Sequence, residues 1–530
     1  MRSIWKFLLL TPAFLAGMAL AQDLCPPRPN AGAVVSDPVV LQSKDGVLKV
    51  DLTMMDNAGQ DNIFHYCYVY ADGSEAPTLL VNPGDRLIFN LTNHLTPQAG
   101  VMAHGSSQPA PAGDCAGGMM TSASTNVHFH GLNIPPKCHQ DETIKTIIQP
   151  DDPPFQYSFE IPKNDPPGLY WYHPHPHGLT VTQVLGGASG ALIVGGMEQA
   201  RPETSGLPER VLVIRQFTTL PPHGDKPKPN PDDADDNAPM SVNFVPAFAK
   251  AAAPIIKMKP LEKQLWRVVN STSIYFLTLQ LQFDSQAQKL ELVGLDGIPL
   301  DAPRHLDTIL IPPAGRAEFI VQGPPQDVTA KFVSQGFDTG PGGDYNPFWT
   351  LANVIASDDA PEPPTRLPLA SSQLEVKRFA GLSSLKPTKK RKLYFSEVSN
   401  SPGNVTHFFI TVDGQTPRLY DPDEPPAIVT RQGAVEDWII ENRTTEVHAF
   451  HIHQLHFLEL EKNGKPLNDP TLRDTVEVPY WDGKSPHYPT IKIRMDFRDP
   501  ETVGTFLYHC HILDHEDGGM MAKIKVKPAR

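Results

Sequence analysis

The chain has 530 residues, with 45 Lys and Arg against 59 Asp and Glu, for a formal charge of -14. That balance excludes nucleic acid or an anionic membrane as a partner, since both need a basic surface. With 56 prolines and 38 glycines, proline runs at about twice its usual frequency, which favours a loop-rich all-β chain of roughly three domains over a helical one.

Residues 1–21 hold a basic start (Arg2, Lys6), an apolar run and Ala19-Leu20-Ala21 ahead of Gln22, the pattern of a cleavable export signal. The run is too short for a comfortable membrane span and nothing later approaches one. A periplasmic or secreted protein is expected, in a compartment that permits disulfides. Cys25, Cys67, Cys115 and Cys138 crowd the N-terminal part; two bridges are expected, with three pairings open.

Three segments share a strand signature that ends in Asn. GDRLIFNLTN (Gly84 to Asn93) and GAVEDWIIEN (Gly433 to Asn442) place Asn nine residues after Gly, and LEKQLWRVVN (Leu261 to Asn270) repeats the strand and the Asn. Three copies imply three related β-domains, divided by the turn-rich 200–209 and the Pro-rich 358–368 into 22–199, 200–358 and 359–530. The acidic, Pro-rich insert 221–239 reads as a solvated surface loop.

Four His-x-His pairs follow in chain order: His128/His130, His173/His175, His451/His453 and His509/His511. Alternate residues of a strand share a face, so each pair aims two imidazoles at one place. Eight imidazoles exceed the needs of any single ion and call for about three metals at two to four nitrogens each. The middle segment keeps only His223 and His305.

Cys510, between His509 and His511, must face the opposite way, into the third domain. His448, His515 and Met520 are left over there. Two imidazoles, a thiolate and a weak thioether form the ligand set of a blue copper site. Pro174 occupies the corresponding place in the first domain, which therefore holds no such site. His177 and His456 are read as structural, and Met119, Met120 and Met521 as ordinary apolar residues.

The segments HFHG (His128 to Gly131), WYHPHPHG (Trp171 to Gly178), HAFHIHQLHF (His448 to Phe457) and HCHILDHEDGGMM (His509 to Met521) resemble the three-domain multicopper oxidases, in their laccase and bacterial cuprous-oxidase branch. The resemblance implies three cupredoxin-like Greek-key β-sandwiches, a monomer, and four coppers. His128 and His451 resemble the ligands of a type 2 copper. His130, His173, His175, His453, His509 and His511 resemble those of a type 3 pair. His448, Cys510, His515 and Met520 resemble a type 1 site. It also implies two catalytic carboxyls that supply protons to the reduction of dioxygen to water: Asp141, whose spacing is shifted by the KCHQ segment, and Glu516. Phe129 and Ala449 depart from the Trp and Pro common in the family, and are expected to alter packing only.

The reductant is a small molecule. No methionine-rich segment precedes His448, and Glu446 is the one acidic residue just before it. A laccase-like oxidation of phenols and aromatic amines at an exposed His515 edge is therefore preferred over a cuprous oxidase or ferroxidase. A non-catalytic copper-binding electron shuttle would not need eight cluster histidines. The sequons at Asn90, Asn270, Asn404 and Asn442 matter only in a glycosylating host.

Overall fold

The strand Arg86–Asn93 alternates strictly between buried positions and more accessible ones, because a period-2 apolar pattern buries one face of a sheet and leaves the other nearer to water. The same logic builds the rest of the chain in the computed structural model, which describes residues 25–57, 65–97, 115, 119–217, 240–247, 252–361, 363, 378–401 and 404–530. The export signal, His223 with its acidic insert, and most of the Pro-rich 358–368 stretch lie outside the described residues.

Two sheets form along each third of the chain and share one core. In the first, a four-stranded sheet containing Arg86–Asn93 and Phe155–Glu160 covers a five-stranded sheet in which Gly168–His173 lies beside His128–His130. Leu87, Phe89, Tyr157, Phe129, Tyr170 and Leu192 fill the space between. Seven- and six-stranded sheets enclose the middle core around Trp266, Phe319 and Phe332. In the last third a seven-stranded sheet covers a five-stranded one, where Gly504–Cys510 pairs with His448–Ile452 over Trp438, Phe450 and Tyr508. The fold is all-β and cupredoxin-like. Both outer thirds carry their histidines on the same kind of five-stranded sheet.

The recurrent asparagine has one job in all three places. Asn93, Asn270 and Asn442 are fully buried. Each accepts a hydrogen bond from the backbone N–H two residues on, at Leu95, Thr272 and Thr444 respectively. Each amide nitrogen donates to carbonyls of neighbouring turns, Ala123 and Ile148 for Asn93 and Glu446 and Pro479 for Asn442. The side chain thus ends its strand while satisfying groups that a turn would otherwise leave unpaired. Two of the four sequons, Asn270 and Asn442, are therefore structural sites closed to a glycan.

Of the three open cysteine pairings, the fold makes Cys25–Cys67 and Cys115–Cys138. The first spans 42 residues of sequence, and closing a loop of that length restricts the unfolded chain by about 4 kcal/mol. Replacing Cys25 and Cys67 together by alanine should lower unfolding free energy by that amount in a denaturant titration. An unchanged midpoint would show that the bridge adds nothing.

An apolar cluster of Leu169, Trp171, Ile193, Val211, Val269 and Ala314 joins the first histidine-bearing sheet to the middle sheets. Among the described residues no helix is long and apolar enough to cross a membrane.

Candidate metal centre

His128 faces His173 across one strand pair, and His451 faces His509 across another. All eight paired histidines are buried to 1% exposure or less, at the meeting of the two outer sheets. His128 stacks on His453 with ring centroids 3.9 Å apart, and His130 on His451 at 4.0 Å. Possible ligand atoms lie within 4.8 Å of one another in the trios His130/His173/His511 and His175/His453/His509, and in His128/His130/His451.

One nitrogen of most of these rings is held by protein and the other is left bare. His128 Nδ1 contacts Asp141 at 3.0 Å, His173 Nδ1 donates to the Pro174 carbonyl at 2.9 Å, and His451 Nδ1 to the Asp474 carbonyl at 2.8 Å. His509 Nδ1 donates to the Cys510 carbonyl at 3.0 Å. Nε2 of His128, His173 and His451 and Nδ1 of His130, His175 and His453 are buried without a hydrogen-bond partner. His175 and His453 instead bring their Nε2 atoms to 3.4 and 3.3 Å from His509 Nε2. Buried bare acceptors are costly, and convergent imidazole nitrogens need cations between them. The donor set fits copper.

Burial, reinforced by the neighbouring imidazoles, pushes His130, His175, His451, His453 and His511 well below the ordinary histidine range. Neutral imidazole is the ligand form.

The second cluster is carried by one local fold. After Gly504–Cys510 the chain turns into the short helix Leu513–Asp517, Met520 N–H donates to the His515 carbonyl, and Cys510 N–H to that of Met520. Gly519, at φ 110°, lets the turn close where a Cβ would strike Leu419. Cys510 Sγ then lies 3.6 Å from His448 Nδ1 and 3.8 Å from His515 Nδ1, which are 3.2 Å apart. Met520 is fully buried beside them. Burial pushes the Cys510 thiol up, so it is neutral until a metal displaces its proton.

The family model described as Multicopper oxidase matches residues 390–530, and a second with the same description matches 118–199. The chain belongs to the multicopper oxidase family. This multicopper oxidase is 24% identical to the multicopper oxidase mco of Staphylococcus haemolyticus over 85% of the chain and 81% of that protein. It is 23% identical to a laccase of Bacillus subtilis, over 76% and 79%. It is also 24% identical to the iron transport multicopper oxidase FET3 of Gibberella zeae, over 89% and 74%. Among solved structures, a Campylobacter jejuni multicopper oxidase described as a metallo-oxidase superposes with a TM-score of 0.68 at 25% identity, covering 94% of this chain and 96% of that one. The enzyme is thus a copper-dependent oxidoreductase that uses oxygen.

Both expected carboxyls reach the cluster. Asp141 contacts His128, accepts from the Phe129 N–H at 3.0 Å and binds the Gln454 amide. The KCHQ insertion is absorbed by a turn in which Asp141 N–H donates to the Pro135 carbonyl, His139 takes φ 63°, and Cys138 is tied to Cys115. Glu516 lies 3.4 Å from His175 Nε2 and 3.2 Å from His509 Nδ1, and burial, then Asp517, drive it well above the carboxylate range. Phe129 packs edge-on against Phe89, Tyr157 and Phe159. His456 donates to the Asp296 carbonyl at 2.7 Å, a structural role.

One expectation about access is corrected. The edge of His515 is not open: the residue is 4% exposed, Phe408 stacks on its ring at 4.2 Å, and Glu446 Oε1 lies 3.1 Å from its Nε2. Sequence reading also missed Glu397, whose Oε1 lies 3.5 Å from His448 Nε2. His448, Glu446 and Thr444 hydrogen-bond Glu397 and hold it below its usual range despite burial. Burial and the adjacent Glu397 push Glu446 up to about 11.

Proposed function

We propose that this multicopper oxidase takes electrons from a reduced metal cation of the Fe(II) type. The observation that carries this reading is the pair of carboxyls, Glu397 and Glu446, each touching one imidazole of the Cys510 cluster. Their side chains are 15% and 9% exposed, above His448 at 0% and His515 at 5%, so a reductant arriving from solvent meets oxygen before nitrogen. Oxygen donors favour a hard cation over soft Cu(I), which prefers thioether sulfur. With Phe408 over His515, an aromatic substrate has no bare ring edge to use. The phenol preference rested on a lone Glu446 and an exposed His515, and the carboxyl pair moves it to the metal-oxidase alternative.

In this reading His448, Cys510, His515 and Met520 hold one copper, His128 and His451 a second, and the two remaining trios one each. Bound copper supplies a one-electron acceptor at the first site and dioxygen reduction at the others. The chain itself orients each imidazole through the carbonyls and carboxyls described, excludes bulk water from the cluster, and holds protons at Glu516 for the reduced oxygen. Asp141 keeps the His128 ring turned toward its partner His451. The two disulfides support an exported location and the three sheet pairs a division at 22–199, 200–358 and 359–530.

Oxygen uptake by the copper-loaded protein tests the substrate class. A cation about 4 Å from the ionised Glu397 gains ~4 kcal/mol per unit charge at an effective dielectric of 20, and the neutral Glu446 carboxyl adds an oxygen donor without charge. The double variant Glu397→Gln/Glu446→Gln should therefore lose at least ~10²-fold in kcat/KM for Fe(II), with kcat/KM for a methoxyphenol held within a few-fold. Equal losses with both reductants, or a wild-type preference for the phenol or for Cu(I), would defeat the proposal.

A further inference from the structure

We propose that Arg316, on a strand of the middle sheets that contributes no histidine to either cluster, is a positioning residue for the dioxygen-reducing histidines. The residue is fully buried and sits where all three sheet pairs meet. Its Nη1 and Nη2 donate to the two oxygens of Asp474 at 2.7 and 2.5 Å. Nε donates to the Leu169 carbonyl at 3.3 Å, in the strand that ends at His173. Two residues along the same middle strand, Glu318 accepts the Leu169 N–H at 3.1 Å. Leu169 precedes Trp171, where pairing with His128–His130 ends. Arg316 and Glu318 together therefore stand in for a missing strand at that edge, fixing the backbone that aims His173.

Asp474 carries the constraint to two more rings. Its Oδ1 lies 3.4 Å from His130 Nε2, and its carbonyl accepts the His451 Nδ1 proton at 2.8 Å. The opposite nitrogens of those rings, His130 Nδ1 and His451 Nε2, are the buried bare ones. A bidentate guanidinium fixes the plane of its carboxylate as a point charge does not. Gly131, at φ 88°, gives Arg316 its room, since a Cβ there would lie 2.5 Å from Nη2 and 2.7 Å from Asp474 Oδ2. Arg316 thus sets three rings, His130, His173 and His451, drawn from both outer thirds.

The test compares Arg316→Met and Arg316→Lys in the copper-loaded enzyme, with Arg304→Met as a control that breaks the half-exposed Arg304–Asp469 pair without reaching a histidine. Three quantities are read: copper per chain, the type 2 signal in the electron paramagnetic resonance spectrum of the resting protein, and the two half-reactions by stopped flow. Both Arg316 variants should shift the type 2 signal and slow reoxidation by dioxygen ~10- to 100-fold, the usual effect of losing a group that orients metal ligands. Anaerobic reduction of the Cys510 site should stay within about two-fold of wild type, and the control should leave all three readings unchanged. If Arg316→Met does not fold, Arg316→Lys, which keeps the charge and loses the fork, carries the test. Restoration of the native spectrum and reoxidation rate by Lys would reduce Arg316 to charge balance and overturn the proposal. Equal slowing of both half-reactions, or a control that behaves like the Arg316 variants, would overturn it as well.

Discussion

Replacing Cys510 by serine should abolish dioxygen uptake with every reductant, a fall of at least ~10³-fold, equivalent to about 4 kcal/mol of barrier, while the eight-histidine cluster keeps its metal. The expectation follows from how one strand is divided. His509 and His511 project into separate trios, and Cys510 between them projects to the other face, where Sγ meets His448 and His515. One residue therefore joins the electron-accepting cluster to both trios through two peptide units. Serine preserves the volume and the backbone bonds from Cys510 N–H to Met520 and from His511 N–H to Ala449. It lacks the soft, easily ionised sulfur that a blue site requires. The purified variant should be colourless, hold one copper fewer per chain than wild type, and unfold at a similar denaturant concentration. Turnover above a tenth of the wild-type rate would show that electrons enter elsewhere.

What the sequence made legible was whatever lies within one strand. His-x-His spacing marks a shared face because side chains alternate, and the strands at 128–130 and 504–510 behave accordingly. The reversed face of Cys510 follows from the same rule. What escaped detection depends on pairing between distant strands. Glu397 is invisible as a neighbour of His448 until Lys389–Ser401 is known to run parallel to Val435–Asn442, with Phe395 opposite Asn442; that register carries Glu397 two residues further, alongside Thr444. Arg316 and Asp474 are 158 residues apart and neither lies in a motif. The closed edge of His515 depends on Phe408, which comes from another strand, Asn404–Val412. The Asp141 spacing looked disturbed because an insertion counts in sequence, yet the turn at 135–141 carries it outward and returns the carboxyl to His128.

Acid should unfold the metal-free protein somewhere below pH ~6.5 and leave the copper-loaded protein folded for at least about one further pH unit. Ten buried histidines are held below their ordinary range: His130, His173, His175, His448, His451, His453, His456, His509, His511 and His515. Burial is the leading cause in each, and His509 reaches about 3 and His456 about 4. The folded value lies below the unfolded value of about 6.5, so the unfolded chain binds more protons as pH drops, and stability is lost downward from pH ~6.5. Each imidazole that stays neutral in the fold while its unfolded counterpart protonates therefore weakens the fold as pH falls. Buried carboxyls act in the opposite sense. Burial pushes Asp165 and Asp296 up to about 6 and Asp517 up to about 7, raises Glu446 beside Glu397 to about 11 and drives Glu516 well above its usual range, and each of these offsets part of the loss. The ten imidazoles outnumber these five carboxyls, so the balance on acidification is a loss of stability. Copper reverses the outcome because it occupies the lone pairs that protons would take. Circular dichroism of metal-free and copper-loaded protein from pH 8 to 3 measures both midpoints, and coincident midpoints would mean that the imidazoles are not held neutral by the fold.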